Sequence, residues 1–267
     1  MDLSLAHLSE LEVAPRELLT LAKKAGLATI GLRTMAASPG GIEYPLRAAA
    51  EQAAMRRRIE ATGVTVLYIE LVSLCETTDF SACDAMLAAG AAIGASRVVA
   101  AGDSADFSLV ADRMARLCEL ARPYAIAVDL EFMPFRAVRS FADAMTVVTR
   151  AAQPNGHILV DALHVFRSNS DLAAIRAADR ALLGSFQICD APAQAPPQDQ
   201  LVVEARTRRL MPGHGGLDLP ALIDALPADI PYGLEVPLAG QFPDLHPGDR
   251  LALQVRETRK LLQQRSA

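Results

Sequence analysis

Residues 127–134 read Ala-Val-Asp-Leu-Glu-Phe-Met-Pro and have the pattern of a short buried strand. Its apolar residues lead directly to Glu131, and Pro134 then stops the pairing because proline has no backbone N–H to donate. An ionised carboxylate at a buried strand end is costly unless it is paired or holds a metal. Glu131 is therefore the first candidate functional residue.

Three later segments of the chain repeat this pattern. Asp161 ends the apolar run ILVD, Gln187 follows the run GSF, and Glu235 ends YGLE. In each segment apolar residues lead directly into an acid or an amide. Polar groups that converge from several strand ends are better explained as one site than as independent accidents.

The chain alternates regularly between strand and helix patterns, and alternation of this kind favours a parallel sheet. The predicted strands cover residues 2–8, 29–33, 64–71 and 97–102, followed by strands ending near Glu131, Asp161, Gln187 and Glu235. The predicted helices cover residues 15–25, 47–61, 79–93, 107–124, 140–152, 171–178, 219–225 and 249–264, and loops are predicted at 36–45, 192–200 and 211–216.

Such a series of strand–helix units in 267 residues predicts an α/β fold in which residues 1–267 form a single (β/α)8 TIM barrel domain. The alternative is an open doubly wound sheet. That fold is disfavoured because no glycine-rich phosphate-binding turn follows the first predicted strand. In a barrel, all the polar strand ends share the C-terminal rim, where barrel enzymes keep their chemistry.

The four polar strand ends have the chemistry of a metal site. A hard divalent cation prefers carboxylate oxygens, with imidazole or amide groups completing its shell. We expect Glu131, Asp161 and Glu235 to supply carboxylates and Gln187 to supply a neutral oxygen. The alternative for each acid is a buried ion pair with a neighbouring arginine.

Two histidines are candidates for contact with a substrate. His164 lies three residues beyond Asp161, where it could bind a hydroxyl or carbonyl group or transfer a proton. Its alternative role is that of a histidine at a helix start bonded to backbone. His214 lies in the loop sequence PGHGG and is either part of a lid or clamp or an exposed residue of a simple turn.

Other charged residues near strand ends complete the candidate set. Arginines could hold an anionic or polyhydroxylated substrate, although a solvated surface position is the ordinary role of arginine. The candidate substrate-binding residues are His164, Arg167, Arg33, Glu70, Asp190, Arg209 and His214.

Composition narrows the class of partner and the compartment. The net charge of −5 argues against a nucleic-acid surface, which usually shows a basic face. The four cysteines are scattered without a CxxC spacing, and the N-terminus lacks a secretory-leader pattern. No apolar run reaches membrane-spanning length. We therefore expect a cytoplasmic protein that binds a small molecule and neither nucleic acid nor membrane.

Several segments resemble, in the same order, those of the xylose isomerase-like TIM barrel superfamily, the sugar phosphate isomerase/epimerase group. These segments are LEFMPF, VDALHVFRS, FQICDAP, RLMPGHGGLDLPALIDAL and YGLEV. The resemblance covers nearly the whole chain. It implies the barrel fold, a divalent metal and a carbohydrate or polyol substrate, and it suggests a homodimer.

In that superfamily Glu, Asp, His and Glu from four strands hold the metal. The matching positions are Glu131, Asp161, Gln187 and Glu235, so Gln187 stands where many members have histidine. The expected metal is Mn²⁺, with Mg²⁺, Co²⁺ or Zn²⁺ as alternatives. The resemblance also gives Glu131 and Glu235 the exchange of a proton next to a carbonyl, with His164 on the substrate. His214 stands where the related loop often reads PGEGE.

The resulting hypothesis is a metal-dependent isomerase or epimerase of a sugar, keto-sugar or related polyol, acting through an enediolate intermediate. One alternative is a lyase on the same barrel, an inosose or dehydroshikimate dehydratase. Another is a non-catalytic binding protein whose metal site has decayed, which the Gln187 position keeps open. An endonuclease acting at abasic DNA sites is disfavoured, because the chain is acidic and has few histidines at strand ends.

Overall fold

The computed structural model describes residues 3–264, and these form a closed barrel of eight parallel strands. The strands are β1 (Leu3–Leu5), β2 (Thr29–Arg33), β3 (Thr65–Leu74), β4 (Arg97–Gly102), β5 (Ala127–Glu131), β6 (Gly156–Asp161), β7 (Leu183–Ile188) and β8 (Tyr232–Leu234). Each strand pairs with its neighbours in sequence, and β8 pairs with β1 to close the barrel. The predicted (β/α)8 fold is confirmed.

Helices connect the strands on the outside of the barrel. They are α1 (Pro15–Lys24), α2 (Ala49–Thr62), α3 (Phe80–Ala92), α4 (Phe107–Ala121), α5 (Phe141–Ala151), α6 (Ala162–Arg167), α7 (Leu172–Ala177), α8 (Leu201–Thr207), α9 (Leu219–Ala225) and α10 (Pro247–Gln264). Several begin where the sequence supplies a capping side chain: Asp79, Asp106 and Ser140 accept backbone N–H groups of the first turns of α3, α4 and α5.

The first strand is shorter than predicted. Of the predicted range 2–8, residue 2 lies outside the described residues, and β1 ends at Leu5. The chain then forms a 3₁₀ helix, His7–Glu10, because the buried His7 ring takes two backbone contacts. Its Nδ1 accepts the N–H of Arg33 at 2.9 Å, and its Nε2 lies 3.0 Å from the Val13 carbonyl oxygen.

A helix is present where the sequence predicted none. The predicted loop 192–200 ends in a 3₁₀ turn, Gln198–Gln200, which runs directly into α8. No side-chain cap marks the start of α8, since Gln200 makes no capping hydrogen bond. The predicted helix 107–124 also changes character, because its last part, Arg122–Tyr124, is 3₁₀ with Pro123 inside it.

The barrel interior is filled by its own small cluster, which includes Ala6, Tyr68, Val99, Ala101 and Leu159. The Tyr68 ring fits because β2 has glycine beside it: a Cβ at Gly31 would lie 2.2 Å from that ring. Any larger residue there would displace the tyrosine. The Tyr68 hydroxyl thereby lies below the rim, where it accepts a hydrogen bond from Gln187 Nε2 at 3.2 Å.

Within residues 3–264, no helix is long and apolar enough to cross a membrane. The four cysteines are all free thiols.

Candidate metal and proton-transfer site

The four polar strand ends predicted from sequence meet at the C-terminal mouth of the barrel. Glu131 and Asp161 are the last residues of β5 and β6, Gln187 lies in β7, and Glu235 follows β8 directly. All four are buried, with exposed fractions between 0% and 7%. Parallel strands bring their C-terminal ends to one rim, which explains why residues so distant in sequence meet.

Arg209 joins two of these carboxylates. Its Nη1 lies 2.6 Å from Asp161 Oδ2 and its Nη2 lies 2.8 Å from Glu235 Oε2. The Nε group donates to the carbonyl oxygen of Ala205 at 2.8 Å. Arg209 was predicted to bind substrate. Its guanidinium group is buried, lines the cavity and is engaged with both acids, so it positions them.

Gln187 is held by the donors of its amide nitrogen. Its Nε2 donates to the Tyr68 hydroxyl at 3.2 Å and to Glu235 Oε1 at 3.3 Å. Its Oε1 is buried and has no hydrogen-bond partner among the described residues. A buried amide oxygen is normally satisfied, so this atom is available to a ligand.

Glu131 and His164 form the other half of the site. His164 Nε2 lies 3.6 Å from Glu131 Oε1, and the ring packs edge-on against Phe135 with centroids 5.5 Å apart. Asp161 holds His164 in place, because its Oδ1 accepts the His164 backbone N–H at 3.0 Å. Burial lowers the pKa of His164 to about 4, so the ring is neutral at physiological pH.

His164 is also placed to bind a metal. Glu131, Asp161 and His164 each offer one ligand atom, and the three atoms lie within 4.8 Å of one another. His164 was predicted to contact the substrate. The structure adds a role as an alternative ligand.

A second ion pair lines the same cavity. Arg33, on β2, places Nη2 and Nε 3.0 and 3.1 Å from Glu70 Oε1, on β3. Both side chains are buried. These two predicted residues therefore belong to the site, where they pair with each other.

The carboxyl groups of the site outnumber the guanidinium groups that form ion pairs with them. Burial and the charges of Glu235 and Asp161 raise the pKa of Glu131 well above its usual value. Burial raises the pKa of Glu235 to about 8, although Arg209 opposes the shift. Burial also acts on Asp161, but Arg209 holds the pKa of this carboxyl below its usual value.

Among residues 3–264, direct ion pairs join Glu70, Asp161 and Glu235, but not Glu131, to two guanidinium groups, those of Arg33 and Arg209; Arg136 and Arg206 also line the cavity but pair with none of these acids. Counting only the guanidinium groups in direct ion pairs, the four ionised acids exceed them by two, an excess that two protons or one divalent cation would neutralise. The ligand atoms of Glu131, Asp161 and His164 lie within 4.8 Å of one another, and carboxylate and imidazole groups are a donor set that divalent cations accept. The residues therefore fit such a cation.

The cavity above these acids is small, about 60 Å³. Leu71, Met133 and Phe135 form apolar walls, while Ala205 and Arg206 of α8 cover part of the mouth. Small-molecule pockets typically measure about 300–1,000 Å³, so a substrate needs additional room beside this cavity.

Arg167, predicted to bind substrate, lies outside this cavity. Its Nε and Nη2 each lie 2.7 Å from an oxygen of Glu204, and Nη2 also donates to the Pro192 carbonyl oxygen at 2.7 Å. This bidentate pair ties α8 to α6. Arg167 therefore supports the cover of the site, and its donors are used within the protein.

Asp190 and His214 are also outside the cavity, which corrects two further predictions. Asp190 Oδ2 accepts the N–H groups of Gly213 and Gly215 at 3.0 and 2.9 Å. A Cβ at Gly215 would lie 2.2 Å from this carboxylate, so the PGHGG loop is wrapped around Asp190 and is no free lid. His214 points to the surface, 3.2 Å from Glu257 of α10.

Sequence reasoning missed three residues that line or support the site. Tyr68 lies within an apolar run and carries no sign of its contact with Gln187. Arg136 closely follows the LEFMPF segment, and Arg206 belongs to a basic cluster that resembles an ordinary solvated surface. The position of Arg136 just beyond a strand end was the one available signal.

The chain matches the model of the xylose isomerase-like TIM barrel family over residues 19–262. It therefore belongs to this family, as the sequence resemblance indicated. No curated protein matches it by sequence.

Solved structures share the fold at low sequence identity. The IolI protein, solved with a bound zinc atom, has a TM-score of 0.84 and 20% identity, with 99% of each chain covered. The probable 3-DHS dehydratase AsbF of Bacillus anthracis has a TM-score of 0.76 and 15% identity, covering 96% of this chain and 98% of that one. The 3-keto-D-glucoside 4-epimerase YcjR of E. coli has a TM-score of 0.72 and 18% identity, covering 95% and 98%.

Proposed function

We propose that the protein is an enzyme that moves a proton at the carbon next to the carbonyl group of a small hydroxy-ketone, as a sugar isomerase or epimerase. The observation that carries this proposal is the buried excess of carboxylate charge at the barrel mouth. Perturbed carboxyl groups in a cleft are typical of acid–base catalysis. The similarity to an epimerase such as YcjR supports the reaction class.

Glu131, Asp161, Gln187 and Glu235 would hold the divalent cation, and their oxygen-rich set favours manganese or magnesium over zinc. Such a cation, when bound, polarises a substrate carbonyl and makes the adjacent proton more acidic. Arg209 keeps Asp161 and Glu235 at a fixed separation, and Gln187 is held by Tyr68. The ligand residues are thus positioned before any ligand arrives.

Glu131 is the best base for the substrate proton. Unlike Asp161 and Glu235, it has no guanidinium partner in the described structure, and a raised pKa makes its ionised form a stronger base. The neutral imidazole of His164 lies beside it, where a ring N–H can donate a hydrogen bond to a substrate oxygen. Glu131 would transfer the proton, and His164 would orient the substrate.

One observation favours a second candidate, a dehydratase. An epimerase returns the proton from the opposite face and needs a second mobile carboxyl group, for which Glu235 is the candidate. Glu235 is bonded to Arg209 at 2.8 Å and accepts from Gln187 at 3.3 Å. A single free base, Glu131, with His164 beside it suits removal of a proton followed by loss of water, and AsbF carries the description of a dehydratase.

The test uses a panel of hydroxy-ketones in deuterated water with Mn²⁺, followed by proton NMR. Exchange of the proton next to the carbonyl without loss of water supports an isomerase or epimerase, and formation of an unsaturated ketone supports the dehydratase. Glu131→Gln should abolish either signal. Glu119→Gln, the same change at an exposed position of α4, is the matched control and should leave it intact. Wild-type protein that produces neither signal contradicts the proposal.

A further inference from the structure

The rim of the acid-floored cavity is basic. Arg136 is fixed there by Nη1 bonds to Asp103 Oδ2 at 2.8 Å and Ser73 Oγ at 3.2 Å, and by an Nη2 bond to the Ala37 carbonyl oxygen at 3.2 Å. Arg206 lies on the same cavity wall, in the last turn of α8. The site therefore has a negative floor and a positive edge.

Arg206 differs from the other arginines of the cavity. Arg33, Arg136 and Arg209 each have an acidic partner, whereas the structure gives Arg206 neither an acid nor a hydrogen-bond partner among residues 3–264. Desolvation and the nearby charges of Arg136 and Arg33 lower the pKa of Arg206. Arg206 is exposed at the rim, its positive charge is repelled by these neighbours, and no acid among residues 3–264 pairs with it.

Arg206 also connects the site to further space. A second cavity of about 240 Å³ lies next to the first, and Leu8 and Arg206 line both. The first cavity alone, at about 60 Å³, admits only a small end of a molecule. A substrate whose reacting end lies among the acids would place its other end beside Arg206.

We propose that the substrate carries an anionic group, a carboxylate or a phosphate, and that Arg206 binds this group at the rim with Arg136 beside it. Guanidinium groups bind both anions through paired N–H donors, and an uncompensated basic rim attracts them. The inference rests on the proposed function, because it assigns the reacting end of the same molecule to the carboxylates. Arg206 then determines specificity without taking part in the proton transfer.

The test compares three small hydroxy-ketones that differ in charge: dihydroxyacetone, hydroxypyruvate and dihydroxyacetone phosphate. Binding is measured by ligand-observed NMR, and deuterium exchange is measured in the same samples. Arg206→Gln should weaken binding of the anionic probe that wild type binds more tightly by about tenfold or more, because a charge-assisted hydrogen bond is lost. Binding of neutral dihydroxyacetone should not change.

Arg208→Gln is the matched control, because Arg208 is exposed, lies two residues further on and lines neither cavity. It should leave all three probes unaffected. The choice between hydroxypyruvate and dihydroxyacetone phosphate identifies the anion as carboxylate or phosphate.

The inference is overturned if neither anionic probe binds, if dihydroxyacetone binds as well as both, or if the two arginine variants behave alike. Binding of an anionic probe that depends on Arg206, without any proton exchange, supports the anion site and counts against the proposed reaction alone. Proton exchange at equal rates in all three probes supports the proposed reaction and counts against the anion site.

Discussion

The two ends of the barrel interior both bury acids, but they balance them differently. Toward the N-terminal end, Asp129 is fully buried, and its two oxygens accept from Arg97 Nη1 at 2.5 Å and from Ser185 Oγ at 2.7 Å. One carboxylate there meets one guanidinium group and one hydroxyl group. At the C-terminal end, four carboxyl groups share two guanidinium partners, those of Arg33 and Arg209.

This difference separates structure from function better than burial does. A buried carboxylate whose oxygens are paired is part of the scaffold, and removing one partner costs stability. A buried group of carboxylates with uncompensated charge needs protons or a cation, and both are tools of catalysis. The same residue type therefore has different roles at the two ends.

The largest contrast is expected between Glu131→Gln and Asp129→Asn. Glu131→Gln should lower the rate of proton exchange about 10²–10⁴-fold, the usual contribution of a general base, without loss of stability. Asp129→Asn should keep most of the activity but lower the free energy of unfolding by about 1–3 kcal/mol, because Arg97 loses its partner. Exchange rates and urea unfolding curves measure both effects. A variant pair with the opposite pattern contradicts the comparison.

The next contrast concerns the two arginines. Arg209→Gln should lower the free energy of unfolding by about 3–5 kcal/mol, because it leaves two buried carboxylates without their guanidinium group. Arg97→Gln should cost less, about 1–3 kcal/mol, since Ser185 still bonds to Asp129. The Arg97 side chain is also 20% exposed, compared with 2% for Arg209. Equal losses in urea unfolding would show that the two ends are alike.

The pH dependence of stability should also distinguish the ends. The pKa of Glu235 rises from 4.5 to about 8 on folding, so its neutral form is the one that the folded protein favours. The stability that the folded protein gains from the neutral Glu235 carboxyl is complete below pH 4.5 and is lost as the pH rises toward 8. In chelator, the thermal midpoint of wild type should fall across this window more steeply than that of Glu235→Gln.

Mn²⁺ should reverse this trend near pH 8, because the ionised carboxylates then bind the cation. A cation at one hundred times its dissociation constant stabilises a folded protein by about 2.7 kcal/mol. The midpoint of Asp129→Asn should respond to Mn²⁺ as wild type does. A midpoint that rises with pH in chelator, and does so equally in Glu235→Gln, is the outcome that rejects the assignment.

The smallest effects are expected in the PGHGG loop. His214→Ala removes one exposed contact with Glu257 and should change the free energy of unfolding by less than about 0.5 kcal/mol, with no change in activity. Asp190→Ala should cost about 1–3 kcal/mol, because part-buried N–H groups of the loop lose their acceptor. A large loss of activity in His214→Ala would contradict this expectation and indicate that the PGHGG loop acts as a lid or clamp, one of the two roles that the sequence suggested.

The sequence predicted the barrel and the meeting of its four polar strand ends well, because both follow from periodicity and parallel connectivity. Glu131, Asp161, Gln187 and Glu235 each end an apolar run, and a barrel leaves such residues no other common place. The ion pair with an arginine that the sequence left as the alternative is present at Asp161 and Glu235. Its partner, Arg209, could not be named in advance, since its position depends on how the chain between β7 and α9 returns across the rim.

Helix α8 was missed for a related reason. The segment Leu201–Thr207 is short, lacks a capping side chain and follows a proline-rich loop, so local signals are weak. The tertiary ion pair of Glu204 with Arg167 holds it in place. Arg206 depends on this helix for its position, which explains why it looked like an ordinary surface residue.

The most direct test of the charge imbalance is divalent-metal binding, measured by calorimetry and metal analysis on wild type, Glu131→Gln and Asp129→Asn. We predict that wild type and Asp129→Asn bind about one equivalent of Mn²⁺ or Mg²⁺, the complement of one oxygen-rich site, and that Glu131→Gln loses it. The absence of binding in wild type, or equal binding in Glu131→Gln, would contradict the account, because the acids at the C-terminal end would then be scaffold like Asp129.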